Sequence, residues 1–277
     1  MARHLEAVDP KGPLPVFTAL TLEAQERVSE EPVLASLLSS TILAHHDLGA
    51  ALSYQLARKL SDQELRAMSV REMAEDAYAA DPSLLDKAEA DLRAVMERDP
   101  ACKGYLQPFL FFKGFQALQT HRIAHWLWTE GRTTLAFHFQ SRMSELFQVD
   151  IHPGAELGAG IFMDHATGIV IGETARVGDD VSLLHGVTLG GTGAERGDRH
   201  PKIMKGVLLG AGAKVLGNVT VGEYAKVASG SVVLKDVPAG CTAAGVPARL
   251  VNCPTCDEPA RTMDHTLPTE VYQDYVI

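Results

Sequence analysis

The sequence predicts an α+β protein: an all-helical N-terminal domain over residues 1–148, a parallel β-helix over 149–252, and a tail over 253–277. Three observations carry that reading. Apolar residues in the first half recur at helical spacing, punctuated by Pro and Gly. Aliphatic residues in the second half recur at every sixth position. One Gly-rich polar stretch, 190–202, interrupts that repeat and then lets it resume.

The helical elements come first. Residues 34–60 are apolar at helical spacing, with Asp47 and Gly49 inside the run. Ser69, with Glu72 three residues later, reads as a capping box that opens a helix. Asp81-Pro82-Ser83 ends that helix and starts the next, over 84–96, which Asp99-Pro100 closes. Two amphipathic helices follow, over 109–128 and 133–147, separated by Glu130-Gly131-Arg132. His121, His125, Trp126 and Trp128 fall at helical spacing and read as packing.

The repeat runs through Ile151, Leu157, Met163 and Ile169. After a two-residue slip it resumes at Ile171, Val177, Leu183 and Leu189, and after the polar stretch at Ile203, Leu209, Val215, Val221, Val227 and Val233. The fourth residue after each is usually small or β-branched, as at Ala155, Ala175, Val187, Ala213 and Ala225. Neither a helix nor simple alternation gives a period of six. A β-helix does: each hexad supplies one short strand and one turn, three hexads make a triangular coil, and coils stack strand on strand. The aliphatic residue points into the prism and the small one fits its corner.

Composition narrows the function. The chain carries 25 Lys and Arg against 35 Asp and Glu, a net charge of −10, which argues against nucleic acid as a partner. No apolar run is long enough to cross a membrane, and the first residues have no apolar signal region. Four cysteines are too few for a disulfide framework, so the expected compartment is the cytoplasm.

Chemistry concentrates where the repeat begins and where it breaks. Asp150 precedes the first hexad, and Asp164-His165 ends the second. A histidine with a carboxylate partner suits general-base work, because the carboxylate fixes the tautomer and stabilises the imidazolium. The polar stretch must leave the prism as a loop, and it brings Arg199, His200 and Lys202 to the surface.

The hexad resembles that of the hexapeptide-repeat acyltransferases, which implies a left-handed β-helix. Longer motifs sharpen the resemblance: Phe147-Gln-Val-Asp-Ile-His-Pro153, Met163-Asp-His-Ala-Thr-Gly168, Thr188-Leu-Gly-Gly-Thr-Gly193, Gly197-Asp-Arg-His-Pro-Lys202 and Ala244-Gly-Val-Pro-Ala-Arg249. Together with His45-His-Asp-Leu-Gly-Ala-Ala-Leu-Ser-Tyr54, Ala77-Tyr-Ala-Ala-Asp-Pro82 and Arg98-Asp-Pro100, they resemble the serine O-acetyltransferase family over about residues 31–251.

That resemblance implies acetyl transfer from acetyl-CoA, as co-substrate, to the hydroxyl of L-serine, with no metal and no permanently bound cofactor. It implies that His165 is the general base and that Asp150 orients it. Asp99 and Asp164 would bind the serine ammonium, and Arg199 its carboxylate, with His200 lining the pocket. CoA would lie in the groove between neighbouring β-helices of a trimer, or of a dimer of trimers. Its expected contacts are Ala211 and Ser229 along the corners, Gly191 and Thr192 from the loop, and Lys214, Lys235 and Arg249 for the phosphates. L-cysteine is expected as a feedback inhibitor. The C-terminal Ile277 is expected to dock into O-acetylserine sulfhydrylase.

Two other readings stay open: a hexapeptide acyltransferase for another acceptor, such as a sugar or an amine, and a zinc-dependent β-helical carbonic anhydrase. Arg199 and Asp99 favour an acceptor carrying both charges of an amino acid. Cys253-Pro-Thr-Cys256 lacks two further ligands for a zinc site. His152 and His185 lie in the repeat and read as structural.

Overall fold

The computed structural model describes residues 14–193, 196–253 and 258–267. The helical domain holds α1 (Val16–Glu30), α2 (Ala35–Leu38), α3 (Leu48–Leu60), α4 (Ala67–Ala80), α5 (Ser83–Arg98), α6 (Leu106–Leu110), α7 (Lys113–Thr129) and α8 (Thr133–Phe147). Helix α1 is not marked in the sequence because its buried stripe is thin: only Val16, Leu20 and Ala24 are fully buried, with Phe17 and Val28 half-buried against the core.

Local chemistry sets the helix boundaries. The run over 34–60 is broken in two, because Asp47 leaves the helical region (φ −153°) and caps α3, its Oδ1 accepting from the Ala50 N–H at 2.8 Å. Ser69 is no cap: α4 starts two residues earlier, at Ala67, without a side-chain cap. Asp81 does mark the next start, its Oδ1 accepting from the Ser83 N–H at 3.1 Å. The predicted helix over 109–128 is two elements, with the break at Phe111 and Phe112.

The β-helix makes about five turns. The first is β1 (Val149–Ile151), β2 (Glu156–Leu157) and β3 (Phe162–Asp164); the second is β4 (Ile169–Ile171), β5 (Arg176–Val177) and β6 (Ser182–Leu184). The third is β7 (Thr188–Gly190), β8 (Lys202–Ile203) and β9 (Leu208–Leu209); the fourth is β10 (Lys214–Leu216), β11 (Thr220–Val221) and β12 (Lys226–Val227). Strand β13 (Val232–Val233) begins the last turn, and β14 (Thr242–Gly245) pairs with β15 (Ala248–Asn252) as an antiparallel hairpin.

Three parallel sheets form the prism walls. Sheet one is β1-β4-β7-β10-β13, sheet two is β2-β5-β8-β11, and sheet three is β3-β6-β9-β12-β14 with β15 at its edge. Asp150 pairs with Val170, twenty residues on, whereas Val170 pairs with Thr188, eighteen on. The two-residue slip is therefore extra chain in the first coil. Arg176 pairs with Lys202, twenty-six on, so the loop is extra chain in one coil and the register resumes unchanged beyond it. All fourteen repeat positions point inward and are at most 9% exposed. Each such burial stabilises by roughly 1.5–3 kcal/mol.

One buried ion pair fastens the helical domain to the first coil. Arg122 of α7 donates to Asp91 of α5 at 2.7 Å and to the Gly158 carbonyl at 2.8 Å. The other Asp91 oxygen accepts from the Ile161 N–H at 2.9 Å. Both side chains are almost wholly buried, so losing either would strand the other.

The polar segment after residue 252 does not leave the fold at once. Cys253 is disulfide-bonded to Cys241, so two of the four cysteines do form a staple. A short helix, α9 (Pro259–Thr262), docks with Ala260 buried, and its carbonyl accepts from Ser182 Oγ at 2.8 Å. Ile277 and Cys256 lie outside the described residues.

Candidate active site

The chain turns two corners beside sheet one, and the chemistry divides between them. The first corner leads from sheet three to sheet one and carries Asp164, His165, Ala166 and Thr167. His165 and Ala166 both take left-handed backbone angles, φ 53° and 57°, which L-residues adopt only at some cost. The turn throws the His165 imidazole outward, where it is 77% exposed. Asp164 Oδ1 lies 3.8 Å from His165 Nε2.

The helical domain closes this corner from the first-coil side. Helix α7 begins so close to β3 that a Cβ on Gly114 would lie 2.2 Å from the Met163 carbonyl oxygen. Only glycine permits that approach. Helix α5 ends at Arg98, and Asp99, at its C-cap, accepts from the Ala101 N–H at 2.8 Å. A pocket of about 390 Å³ results, bringing Asp99, Lys113, Phe112, Asp164 and His165 together. Two carboxylates and an imidazole on one apolar wall can bind a small cation and remove a proton beside it.

The second corner leads from sheet one to sheet two. Here the loop folds back onto Gly172, Glu173 and Thr174. Arg199 Nη2 donates to Glu173 Oε2 at 2.7 Å. That hydrogen bond holds the Glu173 carboxyl below its usual range. Thr174 Oγ1 accepts from the backbone N–H groups of Arg199 and His200, at 3.0 and 3.1 Å. His200 Nδ1 lies 2.9 Å from the same hydroxyl, and burial, with the Arg199 charge beside it, lowers its pKa. His200 Nε2 sits only 2.0 Å from where a Cβ on Gly172 would be. Lys202 Nζ pins the base of the loop through the Thr174 and His200 carbonyls, at 2.9 and 2.8 Å.

Glu173 and Thr174 were not singled out from the sequence. Their signal was available: residues 176 and 202 are register partners, which places 174 directly beside 200.

Within one chain the structure therefore unites Asp99, Asp164 and His165, but leaves Arg199 and His200 at another corner. Asp150 stands on sheet one between them. Its Oδ1 accepts from Gln140 Nε2 of α8 at 2.7 Å, and among the described residues no hydrogen bond joins it to His165. His152, at the second corner, is packed edge-on between Trp128 and Phe137, with ring centroids 5.1 and 5.4 Å away.

The remaining predicted contacts also divide. Ala211 and Ser229 fall in the same column as His165, two and three coils further on. Lys214 Nζ donates to the Gly186 carbonyl beside that column. Gly191 packs against Arg199 and His200 at the second corner, and Thr192 approaches Gly217. Lys235 and Arg249 are exposed at the far end of the prism. Among the described residues no cluster of His, Cys, Asp or Glu is arranged to hold a metal ion, and no helix is long and apolar enough to cross a membrane.

A hexad-repeat prism with an Asp-His turn at one corner and an inserted basic loop at the next defines an acyltransferase of the hexapeptide-repeat class. The model of the serine acetyltransferase N-terminal domain matches residues 16–120, and that of the bacterial transferase hexapeptide (six repeats) matches 200–235. The serine acetyltransferase of Escherichia coli K12 is 55% identical over 249 residues, covering 90% of this chain and 91% of that protein. A solved serine acetyltransferase in complex with cysteine superimposes with a TM-score of 0.90 at 52% identity, over 91% of this chain and 98% of that one. The Brucella abortus enzyme in complex with coenzyme A gives a TM-score of 0.86 at 49% identity, over 88% and 97%. The chain belongs to the serine acetyltransferase family.

Proposed function

We propose that this chain transfers the acetyl group of acetyl-CoA to the hydroxyl of L-serine, giving O-acetylserine and CoA, the first step of cysteine biosynthesis from serine. The observation that carries the reading is the pocket that gathers Asp99, Asp164 and His165. The two carboxylates take the serine ammonium. His165 takes the hydroxyl proton as the oxygen attacks the thioester carbonyl. The tetrahedral intermediate then collapses, the C–S bond breaks, and the leaving thiolate takes the proton back from the imidazolium. Thiolate is a good leaving group, so orientation and proton removal supply the acceleration.

Serine also has a carboxylate, and the groups suited to it, Arg199 and His200, lie across sheet one. Strand β4, three residues or about 10 Å long at roughly 3.3 Å per residue, separates the corners. A second copy that presents its second corner to the first corner of its neighbour completes the site. Repetition of that head-to-tail contact closes a ring, and a trimer is the proposed ring. Val170, exposed on sheet one, is suited to burial there. A dimer of such trimers through the helical domains is the larger assembly. Asp150, facing out between the corners, orients His165.

The pocket fits L-cysteine as well, since it carries the same ammonium and carboxylate, so cysteine inhibits in competition with serine. CoA runs along the column of Ala211 and Ser229, with Gly191 and Thr192 over it and Lys214, Lys235 and Arg249 for its phosphates. The C-terminal Ile277 docks into O-acetylserine sulfhydrylase, and the enzyme works in the cytoplasm. The test is acetyl transfer from acetyl-CoA to a panel of amino acids, amines and sugars, followed by thiol release. L-serine should dominate, and preferential acetylation of a sugar or simple amine would overturn the assignment in favour of another acceptor.

A further inference from the structure

We propose that the Cys241–Cys253 disulfide is a redox modification site: small-molecule thiols open it, and opening lowers the affinity of the enzyme for acetyl-CoA. The proposal rests on the reading above that CoA runs along the column of Ala211 and Ser229 with Arg249 at its phosphates.

The bond closes the open end of the β14–β15 hairpin. Cys241 is buried on the last coil, directly before β14, and its carbonyl accepts from the Lys226 N–H at 2.9 Å. Cys253, twelve residues on, directly follows β15. The two strands are not held alike. Strand β14 pairs with β12 as well as with β15, and its first three residues are buried. Strand β15 pairs with β14 alone, and none of its residues is fully buried. A two-stranded arm without a buried face is marginally stable. The pairing register also shifts between Thr242 and Ala243, next to the sulfurs. Beyond Cys253 the described chain is next tied down at α9. The covalent bond is the anchor that keeps β15 on the prism.

The place of β15 bears on the donor site. At the end of β14 the Gly245 N–H donates to Ser231 Oγ at 3.1 Å, which sets the hairpin turn beside Ser229 in the proposed column. Arg249 is the register partner of Ala244, one residue before that bond. When β15 frays, Arg249 leaves the end of the column. The pocket of Asp99, Asp164 and His165 lies at the first coil, at the opposite end of the prism, and is untouched.

The pair is suited to exchange. Cys253 is exposed and Cys241 buried, so an incoming thiolate attacks Cys253. A mixed disulfide forms there, and Cys241 leaves as a thiolate that takes up a proton. A second thiol attacks the mixed disulfide and frees Cys253. In sum, one protein disulfide and two small thiols give two protein thiols and one small disulfide, and the reverse reaction reforms the bond. In a reducing compartment, the disulfides that do close are as a rule transient or redox-sensing. On the proposed reading the enzyme opens a route to a thiol, so abundant thiol slows it through the donor site, separately from the competition of cysteine with serine.

Affinity falls with the fraction of time that the competent form is populated. A freed arm in place about a tenth to a third of the time lowers CoA affinity about 3–10-fold.

The experiment uses the full-length enzyme equilibrated in glutathione buffers from fully oxidised to fully reduced. Alkylation with peptide mass mapping gives the state of each cysteine, calorimetry the CoA dissociation constant, and steady-state kinetics the rest. Reduction should raise the CoA dissociation constant and the acetyl-CoA Michaelis constant about 3–10-fold, reversibly. The serine Michaelis constant and turnover at saturation should be unchanged. Cys253→Ser should hold the reduced value in every buffer, and Arg249→Ala should lose the difference between buffers. Equal CoA affinity in the two states, a redox response that persists in Cys253→Ser, or a bond that no glutathione ratio opens in the folded enzyme would overturn the inference. So would a Cys253–Cys256 bond in place of Cys241–Cys253. Absence of CoA binding in both states would instead sink the donor reading on which it stands.

Discussion

At the first corner the His165 ring stands 77% exposed with a carboxylate within ion-pair reach, whereas at the second Arg199 and His200 are already held by Glu173 and Thr174. Both corners are edges of the same sheet, built from the same hexad. They differ in what sets their geometry. The first is shaped by backbone: two consecutive left-handed residues and a helix start pressed onto Met163. The second is shaped by side chains that lock a loop onto the coil beneath it. Under the proposed roles, the base is free to meet its proton and the arginine that would take the carboxylate is held still. A single chain offers each half without the other, and this makes a shared site between copies the economical reading.

The largest effect should come from the first corner. His165→Ala should lower turnover by about 10²–10⁴, the usual contribution of a general base, with serine binding changed much less. Asp150→Asn should be milder, since it mis-sets the ring without removing it. Steady-state kinetics of the two variants give the ranking, and the reverse order would shift the base role away from His165.

Arg199→Ala tests the second corner. Loss of one charge-assisted pair to a carboxylate, roughly 1.5–3 kcal/mol, should weaken serine and cysteine together by about 10–100-fold. Cysteine inhibition relieved without any rise in the serine Michaelis constant would place the inhibitor elsewhere.

Much of this was readable from the sequence because a period of six is strict. Every one of the fourteen aliphatic positions named from spacing is an inward residue, and the loop was legible as the place where the period fails. Helix boundaries were less legible. Asp47 looked like an interior residue of one long helix, yet it caps α3. The Cys241–Cys253 bond was also hidden, because the hairpin of β14 and β15 brings two distant positions together while the sequence displays Cys253 and Cys256 as the obvious pair. The division of the site between corners could not be read from motifs, since order along the chain says nothing about which edge of the prism a residue occupies.

Smaller perturbations separate the corners further. Gly172→Ala must push His200 aside, an overpacking cost of roughly 1–3 kcal/mol. It should raise the serine Michaelis constant while leaving turnover at saturating serine nearly intact. Equal loss of turnover would show that the second corner also governs the chemical step.

The smallest effect is on stability with pH. Burial lowers the pKa of His200, and it lowers that of His121 still further. A histidine whose folded pKa is depressed takes up its proton more readily when unfolded, so stability is full above about pH 6.5 and falls as pH drops below it. Denaturant midpoints measured from pH 7.5 to 5 should decline, and His200→Asn should flatten part of that slope. An unchanged slope would mean that His200 is not sheltered in solution.

Complementation between copies tests the shared site most directly. His165→Ala and Arg199→Ala chains, each nearly inactive in its own assay conditions, are mixed in equal amounts, unfolded together and refolded. In a head-to-tail ring, an intact site forms wherever an Arg199→Ala chain supplies His165 to a neighbour that supplies Arg199. Random assembly should restore about one quarter of wild-type activity at low serine. Activity that never exceeds the average of the two variants would contradict the account, and would mean that each chain completes its own site.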